Sequence, residues 1–404
     1  MTTHAPGRHA VRIAQRIALH LALLAVAYPL LVAQTPAPPR TVRMQSKILG
    51  ELRTLHINLP PNYRIAKQRY QVTYVLDGQV KPFFDLAVAA AGYSLSGDPR
   101  DFAMPPQIIV GIEQKNRGDD LARNDERVTR YVVDEVIPYI EREYRTLPYR
   151  TLIGHSLAGR FALLTLCRAP TIFPAIIAIS PSVSDSTTLD TVQRCARTQF
   201  TTAPRVRQLV LSAGDKETRL RDGVRHLFAF LNDSAPSMWR VRLVDGTGLG
   251  HTDTPFATIP AGLRFTQERA LWEMPIAAAD SMLNRVGDPS SILNAWLDLL
   301  SARVGYRVPA SSKWMEVIAR TRLARDGAAA ATVAAQAMID AYPENIVGYG
   351  LLADAQIKGL DLPAARKTIT DALQMLDRVD VFDESARDAQ RESLRASLAA
   401  LGRP

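Results

Sequence analysis

The sequence predicts an α/β protein with a mostly parallel central sheet, followed by a smaller all-α region. Between Thr41 and about Phe265, short apolar runs typical of buried strands alternate with segments of helical periodicity. Past about residue 278 the strand pattern stops, and residues 290–400 are rich in alanine and leucine at helical spacing. A chain of 404 residues has room for both parts.

The first segment, residues 1–33, has the pattern of an export signal. Its basic residues are Arg8, Arg12 and Arg16. They precede an almost wholly apolar run over 17–32, and Ala33 could precede the cleavage site. Residues 34–40 are expected to form a flexible mature start, and the protein to be periplasmic or secreted without membrane attachment. Because Leu31 is larger than signal cleavage favours, an uncleaved anchor stays an alternative.

Six short runs have the pattern of strands, and they define an α/β domain over 41–275. The predicted strands lie at 52–59, 71–76, 107–112, 176–179, 209–212 and 241–244. Between the third and fourth, residues 128–144 carry apolar side chains at helical spacing and predict one helix.

The most informative motif is Gly154–Gly159, Gly-His-Ser-Leu-Ala-Gly, which links an apolar run to a helix-like segment. A serine between small residues at a strand-to-helix turn is typical of the nucleophile in the α/β-hydrolase fold. The motif makes Ser156 the candidate nucleophile. It departs from Gly-x-Ser-x-Gly because Ala158 occupies the place of the second glycine. The alternative is a serine that caps an ordinary helix.

The order of residues along the chain predicts the partners of Ser156. In this fold the acid and then the histidine follow the serine. Four histidines follow the export signal: His56, His155, His226 and His251. His251 is the candidate base because it follows the last predicted strand and a glycine-rich loop; a surface-loop histidine is its alternative. Asp215 and Glu217 both follow the preceding strand, and order does not choose between them. Either could instead be a charge at a helix N-terminus.

A tetrahedral intermediate needs two N–H donors for its oxyanion. One candidate is the backbone N–H of Leu157, directly after the serine. The other is the N–H of Gln79, preferred over Gly78, in the turn that follows an early strand. A plain turn is the alternative interpretation of this second segment.

Several segments together resemble the Putative esterase family of α/β-hydrolases, over roughly residues 41–268. These segments are Tyr74–Gln79, Glu135–Glu141 with Tyr144 and Arg145, Ile153–Gly159, Ala178–Ser182 and Gly214–Glu217. The family includes the ferric-siderophore esterases of the enterobactin type and esterase D. In the siderophore branch the acid lies in a Gly-x-x-Glu pattern, so the resemblance implies Glu217 rather than Asp215. It also implies His251 as the base.

Composition limits the partners and the redox state. The net charge is +9, but no Lys/Arg block is interleaved with aromatic residues, so no nucleic-acid partner is expected. The two cysteines, Cys167 and Cys195, have no metal-site spacing, so neither a metal nor another cofactor is expected. Export would permit a disulfide between them, but two free thiols fit the sequence about as well.

The C-terminal part, residues 276–404, resembles a tetratricopeptide-like helical region. Its pattern residues are Tyr349, Leu352, Ala353, Ala365, Ile369 and Ala372, with Gly359 near the turn. These residues give one helix pair that matches the tetratricopeptide-like pattern well. A second pair, which ends at Tyr342, matches the pattern less well. Because a solenoid normally needs three or more repeats, a packed helical appendage is slightly favoured over a peptide-binding array. A protein partner stays open.

The leading hypothesis is an exported serine esterase that acts on a small-molecule ester, such as a siderophore or a simple acyl ester. The alternatives are an acyltransferase of the same fold, or a non-catalytic binding protein that uses the helical tail. Pocket walls are expected at 81–104, 114–127 and 183–206. The charged stretch 116–127 is interpreted as a solvated loop rather than an entrance. The sequence does not identify the substrate.

Overall fold

The computed structural model describes residues 39–93, 104–123, 125–202, 205–267, 274, 278–279, 281, 287–380 and 384–402. The predicted export signal and residues 34–38 lie outside these ranges, as does most of the chain around the predicted boundary at 275. Among the described residues, no helix is long and apolar enough to cross a bilayer.

Eight strands form one sheet in the order β1-β2-β4-β3-β5-β6-β7-β8. The strands are β1 Arg40–Gln45, β2 Leu52–Asn58, β3 Tyr70–Leu76, β4 Gln107–Ile112, β5 Thr146–His155, β6 Ala175–Ile179, β7 Arg207–Ser212 and β8 Trp239–Val244. Strand β2 pairs antiparallel with β1 and β4, and the remaining pairs are parallel. The predicted mostly parallel sheet is therefore confirmed.

Helices cover both faces of this sheet. They are α1 Lys81–Tyr93, α2 Asp125–Arg130, α3 Ile137–Glu143, α4 Leu157–Arg168, α5 Ser186–Thr202, α6 Thr218–Ser234 and α7 Thr254–Thr266, with a short π-helical turn at Asp119–Arg123. Helices α1 and α7 pack on one face around Phe84, Ile177 and Leu263. The other helices pack on the opposite face around Phe161 and Leu227. Both faces of the central strands are buried, which explains their continuous apolar runs.

The single helix predicted over 128–144 is interrupted. Helix α2 is followed by a π-helical turn, Tyr131–Val136, before α3 begins. Pro138 has no N–H, and its ring would clash with the carbonyl four residues back. The chain widens there, and the Ile137 N–H donates to the carbonyl of Val132, five residues earlier.

A disulfide joins Cys167, near the end of α4, to Cys195 in α5, with an S–S distance of 1.99 Å. The sequence leaves open a disulfide or two free thiols, and the structure has the disulfide. It links two neighbouring helices on one face of the sheet.

The C-terminal region is all helical. Its helices are α8 Pro289–Val304, α9 Ser312–Arg325, α10 Ala328–Ala341, α11 Ile346–Lys358, α12 Leu362–Leu376 and α13 Glu384–Ala400. The six predicted apolar positions on α11 and α12 lie in one buried cluster. Gly359 caps the end of α11, as its place near a turn predicts. The tetratricopeptide-like interpretation of these helices stays a prediction.

The helical region packs against the amino ends of the parallel strands. The Val206 N–H, just before β7, donates to the Arg303 carbonyl at 3.1 Å. Met238, just before β8, packs in a cluster with Trp296 of α8. In the loop before β3, Asn62 and Asp380 exchange two hydrogen bonds of 3.2 and 2.6 Å. In the part of the chain that the structure describes, these contacts all lie at the amino ends of the strands.

Candidate active site

Ser156 lies in a sharp turn between β5 and α4, at the carboxyl end of the sheet. Its φ of 60° and ψ of −119° are strained for a residue with a side chain. A Cβ on Gly154 would lie 2.2 Å from the Ala158 carbonyl oxygen, so this position requires glycine. Ala158 itself is fully buried, and the turn forms with alanine in the place of the second glycine.

Two more left-handed, non-glycine residues lie at the same edge. Asp77 follows β3 with a φ of 59°, and Ser180 follows β6 with a φ of 41°. Each such conformation costs about 1–3 kcal/mol, and such residues cluster at functional sites. The strained positions therefore mark the carboxyl edge of the central strands as the candidate site.

Glu217 and His251 are hydrogen-bonded at this edge. His251 Nδ1 lies 2.5 Å from Glu217 Oε1. The other oxygen, Oε2, accepts from Ser180 Oγ at 2.7 Å and from the Gly214 N–H at 2.6 Å. Burial alone would raise the pKa of Glu217, but the hydrogen bonds from His251, Ser180 and Gly214 outweigh it and lower that pKa. The carboxylate of Glu217 is therefore held ionised beside Nδ1 of the His251 imidazole.

Asp215 is directed elsewhere. It lines a separate small cavity with Arg221 and Asp245. Its Oδ1 is buried and has no hydrogen-bond partner in the part of the chain that the structure describes. The carboxylate beside His251 is therefore that of Glu217.

His155, the neighbour of Ser156, contacts His251. Its Nε2 donates to the His251 carbonyl at 2.9 Å, and the two ring centroids are 4.4 Å apart. Burial, with the nearby His251 and Arg117, lowers the pKa of His155 to about 4. A neutral imidazole has one N–H, which this carbonyl takes, so His155 fixes the backbone that carries His251. Sequence order gave no signal for this tertiary contact.

Arg117 links the turn after β3 to the end of β5. Its Nε lies 2.9 and 3.0 Å from the two carboxylate oxygens of Asp77, and its Nη2 donates to the His155 carbonyl at 3.0 Å. Burial raises the pKa of Asp77, and Arg117 opposes that rise. Arg117 belongs to the charged stretch 116–127, for which the sequence favours a solvated loop. That interpretation is wrong for Arg117, which lines the cleft.

Of the backbone amides in the turn Asp77-Gly78-Gln79, one has no acceptor among the residues that the structure describes. The Gly78 N–H donates to the Ile112 carbonyl at 2.9 Å, and the Val80 N–H donates to the Asp77 carbonyl at 2.8 Å. The backbone N–H of Gln79 has no acceptor among the described residues. The Gln79 side chain is anchored by the Gln114 N–H at 3.0 Å. The Gln79 N–H therefore lies in a turn that is fixed by the hydrogen bonds of Gly78 and Val80 on either side and by the bond from Gln114 to the Gln79 side chain.

A cleft of about 400 Å³ opens between these elements, and Ser156 and His251 both line it. Of the expected pocket segments, 81–104 and 114–127 contribute described lining residues, while 183–206 contributes none among the described residues. A wall that was not expected comes from the start of α7, three residues after His251. Among the described residues, no cluster of three or more histidine, cysteine or carboxylate side chains forms a metal site.

Comparison with known proteins assigns the chain to a family. A family model described as "Putative esterase" matches residues 46–290. The chain belongs to this family. Ferri-bacillibactin esterase BesA of Bacillus subtilis (strain 168) is 27% identical over 266 residues, 56% of this chain and 89% of that protein. The resemblance found in the sequence is thereby confirmed, and family membership supports a hydrolase that acts on esters.

Solved structures share the fold. An IroE-like serine hydrolase from Shewanella oneidensis covers 71% of this chain and 95% of its own, with a TM-score of 0.59 and 20% identity. An uncharacterised protein from Capnocytophaga ochracea covers 89% of this chain and 99% of its own, with a TM-score of 0.57 and 15% identity. The second match extends the shared fold into the helical region.

Proposed function

We propose that the protein is a serine esterase in which Ser156, His251 and Glu217 form the catalytic triad. The observation that carries this proposal is the position of Ser156 in a strained turn at one cleft with His251, whose Nδ1 is bonded to Glu217. A serine hydroxyl needs a base to become a useful nucleophile. With Nδ1 donating to Glu217, Nε2 of His251 is free to accept the Ser156 proton.

The reaction is the two-step acyl transfer of serine hydrolases. Ser156 Oγ attacks the ester carbonyl while His251 takes its proton. The C–O bond of the ester breaks, and the alcohol leaves with the proton from His251. Water then attacks the acyl-enzyme and gives a proton to His251. The bond between the acyl carbon and Ser156 Oγ breaks, His251 returns the proton to Oγ, and the acid leaves. Glu217 orients the imidazole and stabilises its cationic form.

The oxyanion of each tetrahedral intermediate is assigned to two backbone amides. One is the N–H of Leu157, which starts α4 beside Ser156. The other is the Gln79 N–H, and the absence of an acceptor for it among the described residues supports this role. Loss of one such donor typically costs about 10²–10³ in kcat.

Export and domain division belong to the same proposal. The export signal at 1–33 places the enzyme in an oxidising compartment, which the Cys167–Cys195 disulfide supports. Residues 41–275 would form the esterase domain and 276–404 the helical region. The substrate is a small-molecule ester, with siderophore esters and simple acyl esters both compatible with the family. The comparisons favour neither acyl transfer nor a non-catalytic binding role.

Hydrolysis of short p-nitrophenyl esters tests the triad. Ser156→Ala should lower kcat by about 10⁴-fold or more, and Glu217→Gln by about 10²–10⁴-fold, because the nucleophile and its oriented base are lost. Asp215→Asn is the matched carboxylate control, and Ser393→Ala in α13 is the serine control; both should keep near-normal rates. A Ser156→Ala variant as active as the wild type, or an Asp215→Asn variant as impaired as Glu217→Gln, would contradict the assignment.

A further inference from the structure

The cleft at Ser156 has an apolar wall for which the proposed chemistry gives no reason. Its side chains come from the segment that leads into α1 and from the starts of α1 and α7. They are Val80, Pro82, Phe83, Leu86, Pro255 and Phe256. Phe256 is 61% exposed and Val80 is 45% exposed, so large apolar surface faces water at the cleft. An apolar ligand would remove that surface from water.

The charged groups that face the cleft compensate one another. Arg117 is bonded through Nε to both carboxylate oxygens of Asp77, at 2.9 and 3.0 Å. A second nitrogen of Arg117 is bonded to the His155 carbonyl. His155 is neutral near pH 7, and Glu217 is turned toward His251. The described lining therefore offers an anionic ligand no unpaired cation.

We propose that this cleft binds an uncharged, apolar acyl chain, with Phe256 and Val80 as the residues that set the preference. This inference rests on the proposed function and deepens it, because it names the class of ester. A charged acyl group would lose its hydration against the wall without gaining a partner charge. The proposal places aliphatic or aryl esters ahead of strongly anionic ferric chelates as substrates.

A series of p-nitrophenyl esters tests the class of acyl group, because the leaving group stays constant. From acetate through butyrate to heptanoate, kcat/KM should rise by about fourfold per added methylene until the cleft is filled. The monoester of adipic acid is close in length to heptanoate but ends in a carboxylate. It should react on the order of tenfold or more slowly than heptanoate. Equal rates along the series, or a preference for the adipate ester, would overturn the proposal.

Substitution at the cleft tests the residues themselves. Phe256→Ser should lower the ratio of heptanoate to acetate kcat/KM roughly fivefold, because part of the apolar wall is lost. Leu299→Ser is the matched control, since Leu299 is 63% exposed on α8 in the helical region. It should leave the ratio unchanged. The assignment of the wall is wrong if Phe256→Ser also leaves the ratio unchanged.

Asp77→Asn tests the role of charge. Asparagine tolerates the left-handed backbone at this position, but it cannot neutralise Arg117. The ratio of adipate to heptanoate kcat/KM should rise on the order of tenfold, even if both rates fall, because Arg117 gains a free charge. An unchanged ratio would show that pairing with Asp77 does not set the preference.

One further measurement separates this inference from the proposed function. If a fluorophosphonate labels Ser156 and esters are hydrolysed without any acyl-chain preference, the substrate class is wrong and the triad stands. If Ser156 is not labelled and no ester is hydrolysed, the proposed function fails, and the substrate class fails with it.

Discussion

At the scale of single residues, the order of residues along the sequence predicts some side chains of the site and does not predict others. Ser156 is marked by its small neighbours, and His251 by its place after the last strand. The assignment of those roles stays a prediction, but the structure brings both residues to one cleft. The roles of His155, Arg117 and Ser180 could not be predicted from residue order, because each acts through contacts with residues far away along the chain.

The half-buried imidazole of His155 predicts a pH dependence of stability. Its pKa in the folded protein is about 4, below the ordinary 6.5, so the unfolded chain binds more protons between these values. This contribution to the free energy of unfolding is complete above pH 6.5 and is lost as pH falls toward 4. It amounts to roughly 3 kcal/mol.

His155→Gln removes the titrating group and keeps an N–H donor of similar reach. The fall in the free energy of unfolding between pH 7.5 and pH 4.5, measured by urea denaturation, should be about 2–3 kcal/mol smaller in the variant than in the wild type. The same fall in both proteins would rule out His155 as a source of acid sensitivity.

At the scale of elements, apolar runs located strands β3, β4, β6 and β7, because strands buried on both faces leave little choice of residue. Alternation of apolar and polar residues located β2, which pairs antiparallel with both neighbours, and a short apolar run located the edge strand β8. Apolar periodicity missed β1, an exposed edge strand whose residues are mostly polar or charged. It also missed the π-helical turn before Pro138, because apolar spacing does not report on one missing N–H. The edge position of β1 and the missing N–H of Pro138 are therefore features of the structure that apolar periodicity does not predict.

The disulfide between α4 and α5 predicts a loss of stability on reduction. The Cys167→Ser/Cys195→Ser double variant should lose roughly 3–4 kcal/mol in free energy of unfolding, since the bridge closes a loop between positions 28 apart. Guanidinium titration with and without reductant measures this loss. The double variant is the control, because reductant should not change its midpoint. Equal stability of wild type and variant without reductant would count against a bridge in the native protein.

At the scale of the whole molecule, the helical region and the cleft lie at opposite ends of the central strands. The helices contact the amino ends of the strands, while Ser156 and Ser180 follow the carboxyl ends. Helical periodicity predicted the helices, but it carried no information about which edge of the sheet they would cover. That choice depends on tertiary contacts such as the reciprocal bonds between Asn62 and Asp380.

Because of this arrangement, we expect a substitution in the helical region to lower stability without lowering the catalytic rate. Trp296 of α8 is 5% exposed and lies in one apolar cluster with Val206 and Met238, which precede β7 and β8. Trp296→Ala should therefore lower the free energy of unfolding by about 3–5 kcal/mol. The kcat/KM for p-nitrophenyl butyrate at 20 °C should stay within about twofold, because the cleft is remote. Leu299→Ser, on the exposed face of the same helix, should change neither. A large fall in kcat/KM of the folded Trp296→Ala protein would show that the helical region influences the cleft.

The central claim is that Ser156 is a nucleophile activated by His251. Its most direct test is the rate at which a fluorophosphonate labels the intact protein, with the modified residue located by peptide mass spectrometry. We predict one adduct, on Ser156, that is absent in Ser156→Ala and forms at least about 10²-fold more slowly in His251→Ala. Labelling of another residue, or a rate that does not depend on His251, would contradict the account.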